Sequence, residues 1–135
     1  RYDNWYVREP GADILKVVMD WLHAGPATGG QGKPVILSEF GAGAIYGYRK
    51  ATCDRWTEEY QAEALAECLD AYLDQSGVIG AFIWQFCDVR VTEGGGAQHG
   101  PWSTRPRTMN NKGIFDEYRR PKLSKQTVMK KMRIK

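Results

Sequence analysis

One acidic residue stands out because of its position. Glu39 follows three branched apolar residues and precedes Phe40 and Gly41, so it lies at the end of an apolar run of strand length. A carboxylate at the end of a buried strand loses hydration and needs polar or charged partners. Position alone is equally consistent with a reactive carboxylate and with a structural Glu that pairs with an Arg or Lys on a neighbouring strand.

The other potentially reactive side chains give weaker evidence of a functional site. Residues 110–113, Asn-Asn-Lys-Gly, on their own indicate a turn, since Asn and Gly favour turns. Cys87 follows a second apolar run but has no nearby base to activate it. His23 and His99 are far apart in the sequence, and the three cysteines show no CxxC spacing. We therefore predict no metal site, no cofactor and no disulfide framework.

Composition narrows the class of protein. The 135 residues suit one compact domain, and the formal net charge of +3 is too small to argue for a nucleic-acid partner. No apolar run is long enough to span a bilayer, so no membrane partner is predicted. A solvated helix face is the simplest explanation of the basic C-terminal residues, which are Lys122, Lys125, Lys130, Lys131, Arg133 and Lys135.

The sequence carries two kinds of information about the cellular compartment. No signal-peptide pattern opens the chain, and the odd number of cysteines favours a reducing compartment, so we expect a cytoplasmic protein. The chain also lacks an initiator Met and opens in mid-pattern at residues 1–6. An upstream segment is therefore expected, and an exported protein stays an alternative.

Hydrophobic periodicity predicts helices that alternate with strands. A helical stripe over residues 13–22 ends at Gly25, and a second helix follows Asp54 as its cap and ends at Gly77. Continuous apolar runs over residues 34–41 and 78–86 are typical of strands buried on both faces. Residues 87–120 show no periodicity, and a short amphipathic helix is predicted from Leu123 to Met132.

This alternation predicts an α/β fold with parallel strands. Two parallel strands with three helices do not close an architecture, so the chain is interpreted as part of a (β/α)8 TIM barrel. Residues 1–135 would form its C-terminal segment, about strands six to eight with their helices. In such barrels the catalytic residues lie at the C-terminal ends of strands, where both Glu39 and Trp84 are found.

Several blocks of the sequence resemble glycoside hydrolase family 2, and its β-glucuronidases in particular. The apolar run that ends in Ser38-Glu39-Phe40-Gly41 resembles the nucleophile strand of that family, and Trp-Gln-Phe-Cys-Asp at 84–88 resembles its last barrel strand. The blocks at residues 2–6, 56–61, 109–115 and 119–122 also follow the pattern of the subfamily. A lone Ser-Glu-Phe-Gly is a weak signal, but these blocks in order cover nearly the whole chain.

The resemblance implies a retaining hydrolase of β-glucuronides with Glu39 as nucleophile. A second carboxylate serves as acid and then as base in such enzymes. In the family this residue is a Glu after an Asn on the fourth strand, and no Asn-Glu pair occurs here. We therefore expect the 135-residue chain to be inactive by itself. Its expected partners are the rest of the barrel or other copies of the chain, in a homo-oligomeric full-length protein.

The resemblance also implies how the sugar is held. Asn110 and Lys112 match an Asn-x-Lys segment that binds the C6 carboxylate, which only a uronide carries. Trp84 would pack against the sugar ring. Further substrate-binding candidates are Tyr2, Tyr6, Arg105 and Arg107.

Two alternatives stay open. The first is a β-galacturonidase or a β-galactosidase-like enzyme of the same family. Asn110 and Lys112 argue against the neutral-sugar version, whereas a galacturonide differs from a glucuronide only at C4. The second is a non-catalytic sugar-binding or structural fragment, which the missing acid/base residue favours.

Overall fold

The computed structural model describes residues 19–91 and 106–132. Residues 19–23 are helical, in agreement with the end of the first predicted helix. The later elements are the strand β1 (Val35–Phe40), the helix α1 (Glu58–Leu73), the strands β2 (Val78–Ile83) and β3 (Val89–Arg90), a 3-10 turn (Pro106–Thr108), the strand β4 (Met109–Asn110) and the helix α2 (Leu123–Lys131).

Strands β1 and β2 pair in parallel, as the alternation of elements predicted. Val35 lies opposite Val78, and Phe40 lies opposite Ile83. A parallel pair requires a crossover connection, and α1 supplies it by packing on one face of the two strands. Helix α2 packs against α1 in turn. The described part of the chain is thus a small mixed α/β unit.

The prediction that both strands are buried on both faces is wrong for this chain. Ile36, Ile79 and Phe82 keep 53%, 67% and 63% of their surface exposed. Successive side chains of a strand point to opposite faces, and in the described residues α1 covers one of them. Within residues 19–91 and 106–132, the second face of the two strands is uncovered.

The core lies between α1 and the covered face of the sheet. Phe40, Leu65 and Leu69 are buried there, and the ring of Phe40 meets that of Tyr72 edge-on at 5.9 Å. Burying side chains of this size contributes about 1.5–3 kcal/mol each. Phe40 is the neighbour of Glu39, so the core fixes the end of β1.

Helix α1 begins at a different cap from the predicted Asp54. The Thr57 hydroxyl accepts a hydrogen bond from the N–H of Tyr60 at 3.1 Å, as an N-cap residue does. The Asp54 carboxylate instead pairs with the Lys50 ammonium at 2.9 Å. Thr and Asp are both favourable N-cap residues. Here Thr57 caps the helix, and its hydroxyl also donates a hydrogen bond to the Asp54 carbonyl.

Part of the region predicted to lack regular structure is ordered by short pairings. Val89 and Arg90 pair antiparallel with Asn110 and Met109. Phe115 makes further isolated bridges to Cys87 and Pro121. Each pairing involves one or two residues, which is too short to produce a period in the sequence.

The last helix agrees with its prediction within one residue. Lys130 is exposed, as a solvated face requires, but Lys122 is fully buried, so the predicted solvated face does not extend to it. Lys122 directly precedes α2 and points inwards rather than along the helix surface. Within residues 19–91 and 106–132, no helix is both long and apolar enough to cross a membrane.

Candidate functional site

The C-terminal ends of β1 and β2 lie side by side. The N–H of Trp84 donates to the carbonyl of Phe40 at 2.8 Å. Phe40 packs into the core, whereas Ser38 and Glu39 are both exposed. The register of β1 is irregular between Leu37 and Phe40, so the two exposed residues follow one another here. Trp84 is also exposed and follows β2 directly. The two predicted residues thus belong to adjacent strand ends.

Gly41 permits this close approach. A Cβ at Gly41 would lie 2.2 Å from the carbonyl oxygen of Trp84, a distance that no real side chain tolerates. The chain therefore needs glycine directly after the Glu39-Phe40 pair. The Ser-Glu-Phe-Gly sequence has a structural reason for its last residue.

The loop that carries Asn110 and Lys112 runs beside the segment after β2. The N–H of Gln85 donates to the carbonyl of Lys112 at 3.0 Å, and the N–H of Ile114 donates to the carbonyl of Gln85 at 3.0 Å. Gln85 is the neighbour of Trp84. Backbone hydrogen bonds therefore connect the strand end that bears Glu39, the segment of Trp84 and the loop of Lys112.

Residues 110–112 form a turn. The Asn110 side-chain oxygen accepts a hydrogen bond from the N–H of Lys112 at 3.2 Å, the local contact expected of Asn in a turn. Asn110 is half-buried, whereas Lys112 retains 5% of its exposure. A lysine in a turn is normally solvated, so its burial is a feature that a simple turn does not need.

A buried polar cluster, formed by Lys122, Asp88, Gln61, Asn111 and Ser124, lies beneath this loop. The Lys122 ammonium donates to the Asp88 carboxylate at 2.8 Å, to the Ala44 carbonyl at 2.6 Å and to the Asn111 carbonyl at 3.1 Å. The side chains of Lys122 and Asp88 both have 0% exposure. A buried charge is tolerated when its partners surround it in this way.

Gln61 connects α1 to the same cluster. Its amide nitrogen donates to the carbonyls of Ala42 and Gly113, at 2.9 and 3.0 Å, and its oxygen accepts from the Ser124 hydroxyl at 2.7 Å. The three contacts reach the segment after β1, the loop after β4 and the helix α2. Gln61 is fully buried, and its amide satisfies carbonyl groups that the sheet leaves unpaired.

Burial shifts both members of the ion pair towards their neutral forms. Loss of hydration raises the pKa of Asp88 to about 6, although the Lys122 ammonium and the Gly113 N–H lower it. Loss of hydration also lowers the pKa of Lys122, against the effect of Asp88. One oxygen of Asp88 accepts from Lys122 and from the N–H of Gly113, whereas its other oxygen is buried without a hydrogen-bond partner among the described residues. Because its contacts are with the protein itself, we assign Asp88 a structural part.

The carboxylates of α1 also have structural partners. Glu58 is buried, and its two oxygens accept from the N–H groups of Gly47 and Leu123 at 2.7 and 2.6 Å. Glu59 pairs with Arg49, and Glu63 accepts from the Cys53 thiol at 2.9 Å. In the described ranges, no three or more His, Cys, Asp and Glu side chains are grouped so that they could hold a metal ion.

The remaining predicted site residues divide into two groups. Arg107 forms an ion pair with Glu117 at 2.5 Å and is exposed over 44% of its side chain. Its backbone adopts the left-handed conformation, with φ at 62°. Tyr2, Tyr6 and Arg105 lie outside the described residues. Among the arginine candidates, Arg107 is thus held by a carboxylate of the protein.

Sequence reasoning missed Lys122 and Gln61. A signal for Lys122 existed: it occupies the N-cap position of α2, where the helix dipole disfavours a positive charge. A lysine there needs an anionic partner, and Asp88 provides it. No comparable signal marks Gln61, because polar residues on a helix are normally solvated.

The chain is similar in sequence to known β-glucuronidases. No family model matches the sequence. The β-glucuronidase of Paenibacillus borealis is 33% identical over 123 residues, which are 90% of this chain and 19% of that protein. The β-glucuronidase of Rattus norvegicus is 37% identical over 95 residues, which are 68% of this chain and 13% of that protein.

Solved structures give the same result. A GH2 β-galacturonidase from Eisenbergiella tayi, bound to galacturonate, superposes with a TM-score of 0.79 at 46% identity, over 97% of this chain and 22% of that one. The β-glucuronidase of Faecalibacterium prausnitzii superposes with a TM-score of 0.76 at 26% identity, over 100% of this chain and 21% of that one.

The relatives are glycoside hydrolases, and this chain spans about a fifth of the length of those that it matches over most of its own length. The match to the Faecalibacterium prausnitzii structure covers 100% of this chain, and so includes the segments of Glu39, Trp84 and Lys112. By sequence and by fold, the chain is a β-glucuronidase-like segment of glycoside hydrolase family 2.

Proposed function

We propose that this chain forms the C-terminal part of a (β/α)8 barrel, about strands six to eight, in a retaining hydrolase of β-D-uronides. The parallel pairing of β1 and β2 and their uncovered face support this placement, because barrel strands are covered on both sides. The chain's share of its relatives, about a fifth, leaves room for the other strands.

Glu39 is the proposed nucleophile. One oxygen of its carboxylate attacks the anomeric carbon of the sugar, and the bond from that carbon to the aglycone oxygen breaks. A second carboxylate, supplied outside these 135 residues, gives its proton to the leaving oxygen. It then takes a proton from the water that cleaves the glycosyl–Glu39 ester and restores both groups. The two carboxylates of such a pair stand roughly 5–5.5 Å apart.

Lys112 and Asn110 are proposed to bind the C6 carboxylate of the sugar. An ammonium and an amide donor form charge-assisted hydrogen bonds with a carboxylate, and these are stronger than bonds to a neutral hydroxyl. A sugar without this carboxylate forgoes these charge-assisted bonds, and that loss is the proposed basis of selection. Trp84 would pack against the ring, and Tyr2, Tyr6, Arg105 and Arg107 stay proposed secondary contacts.

One observation supports the proposal most strongly. Backbone hydrogen bonds run from Phe40 to Trp84 and from Gln85 to Lys112, so the candidate nucleophile and the candidate carboxylate-binding loop belong to one hydrogen-bonded layer. Residues 39 and 112 are far apart in the sequence. A turn with no function would not need to lie beside the strand end that carries Glu39. A site at the strand ends gives that reason.

The galacturonide is a second candidate substrate, and a specific observation favours it. The GH2 β-galacturonidase from Eisenbergiella tayi is 46% identical to this chain, whereas the solved β-glucuronidases of Faecalibacterium prausnitzii and Dictyoglomus thermophilum are 26% and 27% identical. Glucuronides and galacturonides share the C6 carboxylate, so the parts proposed for Glu39 and Lys112 are the same for both.

The test uses the full-length protein that carries this chain. Hydrolysis of matched aryl β-D-glucuronide and β-D-galacturonide, beside aryl glucoside and galactoside, would show which uronide is preferred. A mechanism-based fluorinated uronide should label Glu39. Labelling of another carboxylate would overturn the assignment of the nucleophile. Absence of hydrolysis of every substrate would favour a non-catalytic sugar-binding protein, and a preference for the neutral sugars would overturn the part assigned to Lys112.

A further inference from the structure

We infer that Lys122 and Asp88 are positioning residues that hold the loop of residues 110–113 in the shape needed to bind a uronide carboxylate. The inference rests on the proposed function for the nature of the ligand. It adds two side chains that do not themselves touch the substrate. Its basis is the geometry of the buried polar cluster.

The first support is where the Lys122 ammonium donates. One of its acceptors is the carbonyl of Asn111, the residue between Asn110 and Lys112. The same carbonyl also accepts from the N–H of Ala44 at 2.8 Å. Two donors from different parts of the chain therefore fix the peptide unit that precedes Lys112.

The second support is that Asp88 holds the other side of Lys112. The oxygen of Asp88 that accepts from Lys122 also accepts from the N–H of Gly113 at 2.9 Å. A Cβ at Gly113 would lie 2.3 Å from the backbone nitrogen of Asp88, so the two segments are in direct contact. Lys112 is thus bracketed by a carbonyl bound to Lys122 and an N–H bound to Asp88.

The third support is the unfavourable place of the Lys122 charge in the fold. It lies at the N-terminus of α2, where a positive charge is unfavourable, and its side chain is fully buried. Apolar residues in place of both Lys122 and Asp88 would avoid the cost of burying two charges, and such replacements of a whole buried pair are often neutral or stabilising, whereas loss of one partner leaves the other charge buried and unpaired. An ammonium at this place is explained by the carbonyl and carboxylate oxygens that it organises.

The first experiment measures the loop directly in the full-length protein. Lys122→Met removes the ammonium, and Lys131→Met is the matched control, because Lys131 on the same helix pairs with Asp70 at the surface. In Lys122→Met, amide hydrogen exchange should accelerate at least tenfold in residues 109–115 and remain within twofold in α1. Lys131→Met should change neither. Unchanged exchange in the loop, or equal acceleration in α1, would overturn the inference.

The second experiment separates positioning from general damage. Lys122→Met should lower kcat/KM for the preferred aryl uronide at least tenfold in the wild-type background. It should lower it less than twofold in a Lys112→Ala background, where the loop has nothing left to position. A merely structural effect would persist undiminished in both backgrounds, and that result would overturn the inference.

Failure of the proposed function and failure of this inference give different results. If the wild-type protein hydrolyses no uronide, the proposed function fails, while hydrogen exchange still decides whether Lys122 and Asp88 hold the loop. If Lys122→Met does not fold, Asp88→Asn replaces it in both experiments. Asp88→Asn weakens the acceptor of the Gly113 N–H but leaves the carbonyl acceptors of Lys122, so exchange should accelerate at Gly113 before it does at Ala44. The reverse order would contradict the inference.

Discussion

Trp84 donates its backbone N–H to the carbonyl of Phe40 across 2.8 Å, and this bond joins the two strand ends that carry the candidate site. Gly41 makes room for it. We expect Gly41→Ala to push these segments apart, because its Cβ would lie 2.2 Å from the Trp84 carbonyl oxygen. The expected cost in free energy of unfolding is about 1–3 kcal/mol, typical of overpacking.

Urea denaturation of Gly41→Ala measures that cost. Gly47→Ala controls for the change of residue type: it removes a glycine at φ 79°, yet no atom lies near the added Cβ. If the clash with Trp84 matters more than the loss of a glycine as such, activity should fall in Gly41→Ala but not in Gly47→Ala. Equal activity in the two variants would show that the strand ends tolerate separation.

Glu39→Gln tests the nucleophile. The amide cannot form the glycosyl ester, so kcat should fall by at least about three orders of magnitude in the full-length protein. Gln is nearly isosteric with Glu, so the packing around residue 39 is kept and the unfolding midpoint should move little. Glu63→Gln, on α1, is the control. Near-normal turnover by Glu39→Gln would remove Glu39 from the mechanism.

Lys112→Ala tests whether Lys112 binds the C6 carboxylate of the sugar. Loss of a charged hydrogen-bond partner should cost about 2–4 kcal/mol in transition-state binding of a uronide. Hydrolysis of the matched neutral glycoside should stay the same or improve. The ratio of kcat/KM values for the two substrates measures the effect. Equal losses on both would mean that Lys112 holds the loop and does not select the sugar.

The Asp88 carboxyl predicts a dependence of stability on pH. Burial raises its pKa to about 6 from an ordinary value of 3.8, with Glu117 acting in the same direction and Lys122 opposing. A carboxyl with a raised pKa in the folded state stabilises the protein most below pH 3.8, and this contribution is lost as the pH rises through 6.

The unfolding free energy of the wild type minus that of Asp88→Asn should therefore increase as the pH falls from 7 to 4. Subtraction removes the opposite trend of carboxyls with lowered pKa values, such as Asp116, where hydrogen bonds from Arg120 and Tyr118 outweigh desolvation. Urea unfolding at fixed pH values gives both quantities. A difference that is constant across this range would contradict the raised pKa.

The 135-residue chain by itself should not hydrolyse aryl uronides. It supplies one proposed carboxylate of the pair that a retaining enzyme needs. Ile36, Ile79 and Phe82 are also exposed on the sheet, and apolar faces of this kind drive association. Sedimentation and an assay of the isolated chain check both expectations. A monodisperse, active monomer would show that one of its other carboxylates is the acid.

Much of the fold could be predicted because its elements have strong local signals. β1 and β2 are continuous apolar runs of strand length, and α1 has an apolar stripe with helical spacing. The alternation of these elements predicted the parallel pairing. The cap of α1 could not be chosen between Asp54 and Thr57, since both residues suit that position. The pairing of β3 with β4 depends on contacts between segments about twenty residues apart.

The candidate site was predictable only in part, for a different reason. Glu39 and Lys112 could be named because a strand end and a resemblance pointed to them. The contacts of Lys122 with Ala44, Asp88 and Asn111 join residues 78, 34 and 11 positions away, and no local pattern encodes such distances. The position of Lys122 just before the last helix indicates a need for an anionic partner, but the sequence does not show which residue supplies it.

The buried polar cluster also sets the size of the unit that could be transplanted. Residues 110–112 take their shape from Asp88 on one side and from Lys122 on the other, with Gln61 beneath. Grafting the three-residue turn alone onto a related barrel would move the side chains without their scaffold. A working graft would therefore need Asp88 and Lys122 together with the turn, in a host that supplies equivalents of Gln61 and of the Ala44 carbonyl.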